Sequence, residues 1–212
     1  MSLAIIDYGM GNLASVRKAI QHLGGRAQVT SDPQKISRAK GLILPGVGAF
    51  GEAMAELRKR GLITPIRQSI AGGKPFLGLC LGLQLLFESS EESPGVRGLG
   101  ILPGKVRRLP RKKDLKVPHM GWNRVEPETG NPLLHGIPDG AFMYFVHSFY
   151  ADPADGSVVA ARTEYGCRFP SVIWDGGRVF ATQFHPEKSQ KWGLKILENF
   201  LEECSHDCHS RN

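Results

Sequence analysis

The first 84 residues alternate short apolar runs with stretches whose apolar residues recur on one helical face, and that rhythm narrows the possible folds more than any other feature. Residues 2–7 form an apolar run. Leu13, Val16, Ile20 and Leu23 then share one helical face, and Gly24-Gly25 ends it. Residues 26–30 and 41–44 read as further short strands, residues 49–59 and 64–71 as helices, and residues 74–79 as another strand. Strands connected through helices must run parallel, which buries the sheet on both faces and gathers functional loops at the carboxyl ends of its strands.

The second half changes character. Glycine and proline become frequent, and residues 141–150 and 172–174 read as strands without long helices between them. Trp174-Asp175-Gly176-Gly177-Arg178-Val179 has the glycines a tight hairpin turn needs. The expected architecture is therefore α/β: an open, mostly parallel sheet flanked by helices, with an antiparallel extension. A last helix over residues 190–204 would pack through Trp192, Leu194, Leu197, Phe200 and Leu201. With 212 residues, 41% of them hydrophobic and 22% charged, the chain suits a single globular domain over residues 1–203, followed by a fraying tail at 204–212.

No apolar run approaches the about 18 residues of a membrane helix, and Met1-Ser2-Leu3 leads into the first strand without a basic region or cleavage site. A cytoplasmic protein with no membrane partner is expected. The net charge of +7 and pI near 9.4 raise the question of nucleic acid. However, the densest basic run, residues 107–116, has no interleaved aromatic residue and reads as a strand end and solvated loop, so no nucleic-acid partner is expected. Cysteines at 80, 167, 204 and 208 are too irregular for a disulfide framework. Cys204, His206, Cys208 and His209 can ligate metals, but they lack the paired spacing of structural zinc sites; neither metal nor cofactor is expected.

Two glycine turns follow strands. Gly9-Met10-Gly11-Asn12-Leu13-Ala14 matches a dinucleotide-binding fingerprint, with Asp32 at the distance of a ribose contact. Nothing downstream completes a dinucleotide domain, so a tight turn into a helix is the preferred reading. Pro45-Gly46-Val47-Gly48 could present backbone N–H groups to a developing negative charge.

The chemistry centres on Gly78-Leu79-Cys80-Leu81-Gly82, a G-x-C-x-G turn between a strand and a helical pattern. Such a turn lifts a nucleophile off the sheet, and a following helix N-terminus favours the thiolate. The alternative is a small buried hydrophobe. A cysteine nucleophile also needs a base and a group to orient it. His185-Pro186-Glu187 supplies both, and Pro186 keeps His185 out of helix. His147, which also ends an apolar strand, is the competing base.

Gly78-Leu79-Cys80-Leu81-Gly82-Leu83-Gln84 together with His185-Pro186-Glu187 resembles the class I, triad-type glutamine amidotransferases. Five further segments resemble the family branch that serves as glutaminase subunit in imidazole glycerol phosphate synthesis. They are residues 7–12, 45–48, 118–123, 144–148 and 185–189, and the likeness runs from Ser2 to about Glu202. The resemblance implies a flavodoxin-like sheet and a triad of Cys80, His185 and Glu187 that hydrolyses L-glutamine. It implies oxyanion donors at Val47, Gly48 and Leu81, and a glutamine site at Gly46, Gln84, His147, Ser148 and Phe149. It further implies a separate cyclase subunit, a (β/α)8 barrel, which receives the ammonia in a heterodimer. Met10, Asn12, Met120, Trp122 and Lys188 are then the interface, the Gly9-to-Asn12 turn lies at the partner-facing edge, and the Val47 peptide gates a glutaminase that is weak alone. Glutaminases serving other synthases, and a regulatory subunit of the same fold, remain alternatives.

Overall fold

The computed structural model describes residues 2–113, 115–128 and 130–205, so His206, Cys208 and His209 of the metal-capable cluster lie outside the described residues. The parallel half builds as the apolar rhythm requires. Strand β1 (Leu3–Ile6) is wholly buried, and helix α1 (Leu13–His22) turns Val16, Ala19 and Ile20 inward. Edge strand β2 (Ala27–Thr30) leads to a short helix α2 (Pro33–Arg38) absent from the sequence reading. Asp32 accepts the Gln34 N–H at 2.8 Å and Pro33 occupies the first turn, so the carboxylate proposed for a ribose is a helix cap. Then come β3 (Leu42–Gly46), α3 (Phe50–Lys59), α4 (Ile63–Ala71) and β4 (Phe76–Cys80).

After Cys80 the helix α5 (Leu81–Gln84) lasts one turn. Short β5 (Ser89–Ser90), β6 (Gly104–Arg108), β7 (His119–Pro127) and β8 (Ala141–His147) follow. Next are β9 (Phe149–Pro153), β10 (Val159–Glu164), β11 (Arg168–Trp174), β12 (Val179–Thr182) and the closing helix α6 (Gln190–Ser205).

The main sheet has the order β2-β1-β3-β4-β12-β11-β10-β7-β8. Strands β2, β1, β3, β4 and β12 are parallel; β11, β10, β7 and β8 continue antiparallel. Strand β12 returns from late in the sequence to lie beside β4, and this crossover assembles the site. Its register pairs Thr182 with Leu79, while β3 pairs Gly46 with Cys80. The glycine turn, the cysteine and the histidine segment therefore share one edge of the sheet. Alternating side chains fill both faces: Ile5, Ile43, Leu77 and Phe180 pack with α1 and α6 residues such as Ile20 and Phe200, and Ile6, Leu44 and Ala181 pack with α3 and α4 residues such as Leu57 and Ile66.

The run at residues 141–150 is two strands. Ser148 is the break, where the chain leaves the main sheet and enters a small second sheet of β5, β6 and β9. In α6, Leu197 and Phe200 are buried, while Trp192, Leu194 and Leu201 are partly covered. Among the described residues no helix is long and apolar enough to cross a membrane.

Candidate active site

Strand β4 delivers Cys80 in a conformation that side chains rarely adopt, φ 53° and ψ −104°. Among the described residues only Gln190 shares a positive φ without being glycine. Such backbone costs about 1–3 kcal/mol and persists only where its surroundings enforce it. They do so here through close packing. A Cβ on Gly82 would collide with the Leu44 carbonyl, and one on Gly78 would stand 2.7 Å from the Gly82 carbonyl oxygen. Because both obstacles are backbone, Gly82→Ala is expected to cost about 3 kcal/mol of stability in a urea titration. An unchanged midpoint would contradict the close packing.

Cys80 opens on a cavity of about 260 Å³. Its wall brings together Val47, Gly48, Leu81, Gln84, His147, Ser148, Phe149 and His185, all singled out in the sequence. Gly46 stays behind the wall, where an added Cβ would stand 2.7 Å from both Leu81 Cβ and the Tyr8 hydroxyl. Leu81, first residue of α5, has an N–H that one-turn helix geometry leaves without a helical acceptor.

His185 is held from both sides of its peptide. Its N–H donates to the Tyr144 carbonyl at 3.0 Å, and its own carbonyl accepts the Ser189 hydroxyl at 2.6 Å. Its Nδ1 lies 2.9 Å from Glu187 Oε1, with both side chains almost fully buried. That leaves Nε2 buried and without a hydrogen-bond partner, free for the reacting groups. Burial works against the imidazolium, but the neighbouring Cys80 sulfur and the Glu187 carboxylate outweigh it and lift the His185 pKa to about 10.

His147 is a different kind of residue. Its Nδ1 lies 2.8 Å from the Phe149 carbonyl, which can only accept, so Nε2 is the acceptor of the 2.9 Å bond from His119 Nδ1. His119 Nε2 in turn accepts from Asn123 at 3.3 Å, and the ring stacks between Phe145 and Tyr165. Burial pushes His119 down to about 4 and, chiefly, His147 down to about 3, so both stay neutral. With both nitrogens engaged, His147 has none left to serve as base.

Three cavity residues had no site role in the sequence reading: Glu92, and Pro118 and Val146, which fall in the family-like segments 118–123 and 144–148. Glu92 sits in Glu88-Ser89-Ser90-Glu91-Glu92, where nothing local distinguishes it from its acidic neighbours. It accepts the Phe50 N–H at 2.7 Å and so ties the start of α3 to the cavity. Of the interface candidates, Met120 and Trp122 are 64% and 45% exposed on β7, and Lys188 is exposed with its ammonium 5.9 Å from the Tyr144 ring. Met10 and Asn12 are half-buried. Asn12 caps α1, and Met10 lies against Gly48, at which a Cβ would stand 2.6 Å from Met10 Cε.

The comparisons with known proteins agree with this fold. The family model for glutamine amidotransferase class-I matches residues 4–204. An imidazole glycerol phosphate synthase subunit HisH from Moorella thermoacetica is 53% identical, over 96% of this chain and 96% of that protein. One of the same name from Syntrophotalea carbinolica is 50% identical, over 93% and 98%. Among solved structures, a glutamine amidotransferase superposes with a TM-score of 0.75 at 21% identity, over 96% of this chain and 99% of that one. Another from Thermotoga maritima gives 0.69 at 16%, over 98% and 99%, and these two likenesses speak for the fold. With its family model spanning nearly the whole chain and relatives of half identity or more, this protein belongs to the class-I glutamine amidotransferases.

Proposed function

We propose that the chain is the glutaminase subunit of an imidazole glycerol phosphate synthase of histidine biosynthesis, working on L-glutamine through Cys80, His185 and Glu187. The observation that carries this reading is the single cavity where a strained Cys80 meets a His185 oriented by Glu187 with Nε2 free. The Cys80 thiolate attacks the carboxamide carbon of glutamine. The carbon–nitrogen bond breaks as His185 gives its proton to the departing ammonia, leaving a thioester. His185 then takes a proton from water, whose oxygen attacks the thioester, and the carbon–sulfur bond breaks to release glutamate and restore the Cys80 thiolate beside protonated His185. The Leu81 N–H and a donor from the Val47–Gly48 loop are suited to both oxyanions, and one such donor is worth about 100- to 1000-fold in rate.

The substrate is a zwitterion, and the wall offers matching groups. Glu92 is the carboxylate among the described lining residues, fitted to the α-ammonium. Gln84 gives its amide nitrogen to Phe149 and Gln183, so its carbonyl is what it can offer a ligand. Ser148 and Phe149 contribute at the break between β8 and β9, and His147 acts by holding that break in shape.

The ammonia acceptor is a cyclase on a second chain. Met120, Trp122 and Arg124 of β7 pair across the hairpin with Val146, Tyr144 and Phe142, and Val146 also lines the cavity. An apolar face with Met120, Trp122 and Phe142 exposed thus runs from the cavity wall along the hairpin, the kind of patch a partner covers. Covering it would keep ammonia out of water, where it is protonated and no longer nucleophilic. A cytoplasmic setting fits the free thiols at Cys80, Cys167 and Cys204.

The test is glutamate release by the chain alone, with a cyclase, and with that cyclase plus its ribonucleotide substrate. Release is expected to be slow alone and to rise on completion, with the Val47 peptide as gate. No glutamate in the full mixture, or activation only by a synthase of another pathway, would overturn the assignment.

A further inference from the structure

We propose that Gln183 is a further catalytic residue, whose side-chain amide donates to the Cys80 sulfur and stabilises the attacking thiolate. The proposal deepens the reading of Cys80 as nucleophile and rests on it. Thiolate stabilisation needs a local source here. The sequence pattern promises a helix after Cys80, yet α5 is one turn, too short to carry much of a macrodipole.

Which end of the Gln183 amide faces sulfur follows from acceptors that cannot change role. The Phe149 carbonyl can only accept, so the Gln84 atom 2.9 Å from it is Nε2. That same nitrogen lies 3.2 Å from a terminal atom of Gln183, which must then be Oε1. The remaining Gln183 atom is Nε2, and it stands 3.7 Å from Cys80 Sγ, within reach of sulfur's larger radius. The reverse orientation would set two amide nitrogens against each other in a buried place. Gln183 has no solvent exposure, and its backbone N–H donates to the Ser171 carbonyl at 2.9 Å. The Thr182 hydroxyl donates to the Phe184 carbonyl at 3.0 Å, locking the segment around it.

The other groups around the sulfur, His185 apart, leave this task open. From the turn after β1, Tyr8 gives its hydroxyl to the Pro45 carbonyl at 3.0 Å and is kept neutral by burial. From β8, the Val146 carbonyl lies 3.9 Å from Sγ and suits the neutral thiol as acceptor, and His147 is an uncharged ring. Glu92, from the loop after β5, contributes a negative charge to the same cavity, and Glu187 stands behind His185. His185 supplies the countercharge beside the sulfur, and its proton is the one the reaction moves. Gln183 is therefore the uncharged side chain that donates to the sulfur, and it still does so once His185 has given its proton away.

Gln183→Leu keeps the volume and removes the donor. Alkylation of Cys80 by iodoacetamide, read peptide by peptide across pH so that Cys167 and Cys204 are separated, reports the thiolate. The midpoint is expected to rise by about one unit, and glutamate release in the cyclase complex to fall about tenfold at neutral pH with little change in KM. An unmoved midpoint overturns the proposal. Should the variant not fold, the unaltered chain decides: the Gln183 side-chain amide proton, followed by NMR, is expected to shift with the same midpoint as Cys80 alkylation, and a flat titration overturns it. Cys80→Ala separates the two claims. Glutamine turnover surviving in that variant sinks the nucleophile itself, whereas turnover lost there with an unmoved Gln183→Leu midpoint sinks only the role of Gln183.

Discussion

Cys80→Ala abolishes glutamine hydrolysis, a loss of more than about 10,000-fold in glutamate release, while the chain stays folded. The expectation follows from what the cavity contains. His185 and Glu187 can move a proton and the oxyanion donors can stabilise charge, but no other lining residue among those described offers a nucleophile of comparable strength. Ser148 lines the wall, but an unactivated hydroxyl is a far weaker nucleophile than a thiolate. The same site predicts a stability signature. Alanine inherits the φ of 53° and its strain, whereas glycine tolerates that conformation freely. Cys80→Gly is thus expected to exceed Cys80→Ala in stability by about 1–2 kcal/mol, with both equally inactive. Paired urea titrations and glutamate assays in the cyclase complex check this. Residual turnover near the parent rate would remove Cys80 from the mechanism, and equal stability of the two variants would mean the turn relaxes once the thiol is gone.

What could be read in the chain divides along the range of the interactions. The Cys80 turn was legible because its causes lie within five residues: an apolar run, Gly78 and Gly82, and the start of a helical pattern. The parallel half was legible for the same reason, since strand and helix there differ in apolar period. Pairing Cys80 with His185 was not a local matter. It depends on β12 inserting between β4 and β11, which no spacing announces; the need for a base named His185 beside His147, and the family resemblance decided between them. Strands β7 and β10, and all but the end of β6, were missed because they carry exposed charged residues such as Lys105, Arg124 and Glu164, which blur an apolar pattern. The break at Ser148 lacks the glycine or proline that usually marks one, and its reason is tertiary: Phe149 must leave the sheet to offer its carbonyl to Gln84 and His147. His119 and Gln183 were invisible for a related reason. Their roles rest on chains of hydrogen bonds in which each member is fixed by another element.

Glu187→Gln tests the other half of the proton machinery, through charge and not through presence. Glutamine preserves the shape and an oxygen that can accept from His185 Nδ1, but it removes the negative charge 2.9 Å from that nitrogen. Part of what lifts His185 to about 10 is thereby lost, with burial still pressing the other way. The folded-state value must fall, by about 1–3 units for an opposite charge at this range. The sign of the stability change follows. In the unfolded chain the ring titrates near about 6.5, so the raised folded value stabilises the parent fully below that pH. That stabilisation is lost as pH rises through about 10. In Glu187→Gln the loss still begins near about 6.5, but it is complete at a lower pH and is smaller in total. Activity follows the same proton: the alkaline limb of glutamate release moves down with the imidazolium, because the acid that protonates departing ammonia disappears sooner. At the optimum the rate is expected to fall about 100- to 10,000-fold, the range in which an orienting carboxylate acts on a catalytic histidine. Glu187→Ala should be worse at every pH, since it leaves Nδ1 with neither charge nor acceptor. A pH–rate profile of the three proteins decides it: an alkaline limb that stays in place while the rate drops would mean Glu187 only holds His185 in position, and its charge plays no part in setting when the proton is available.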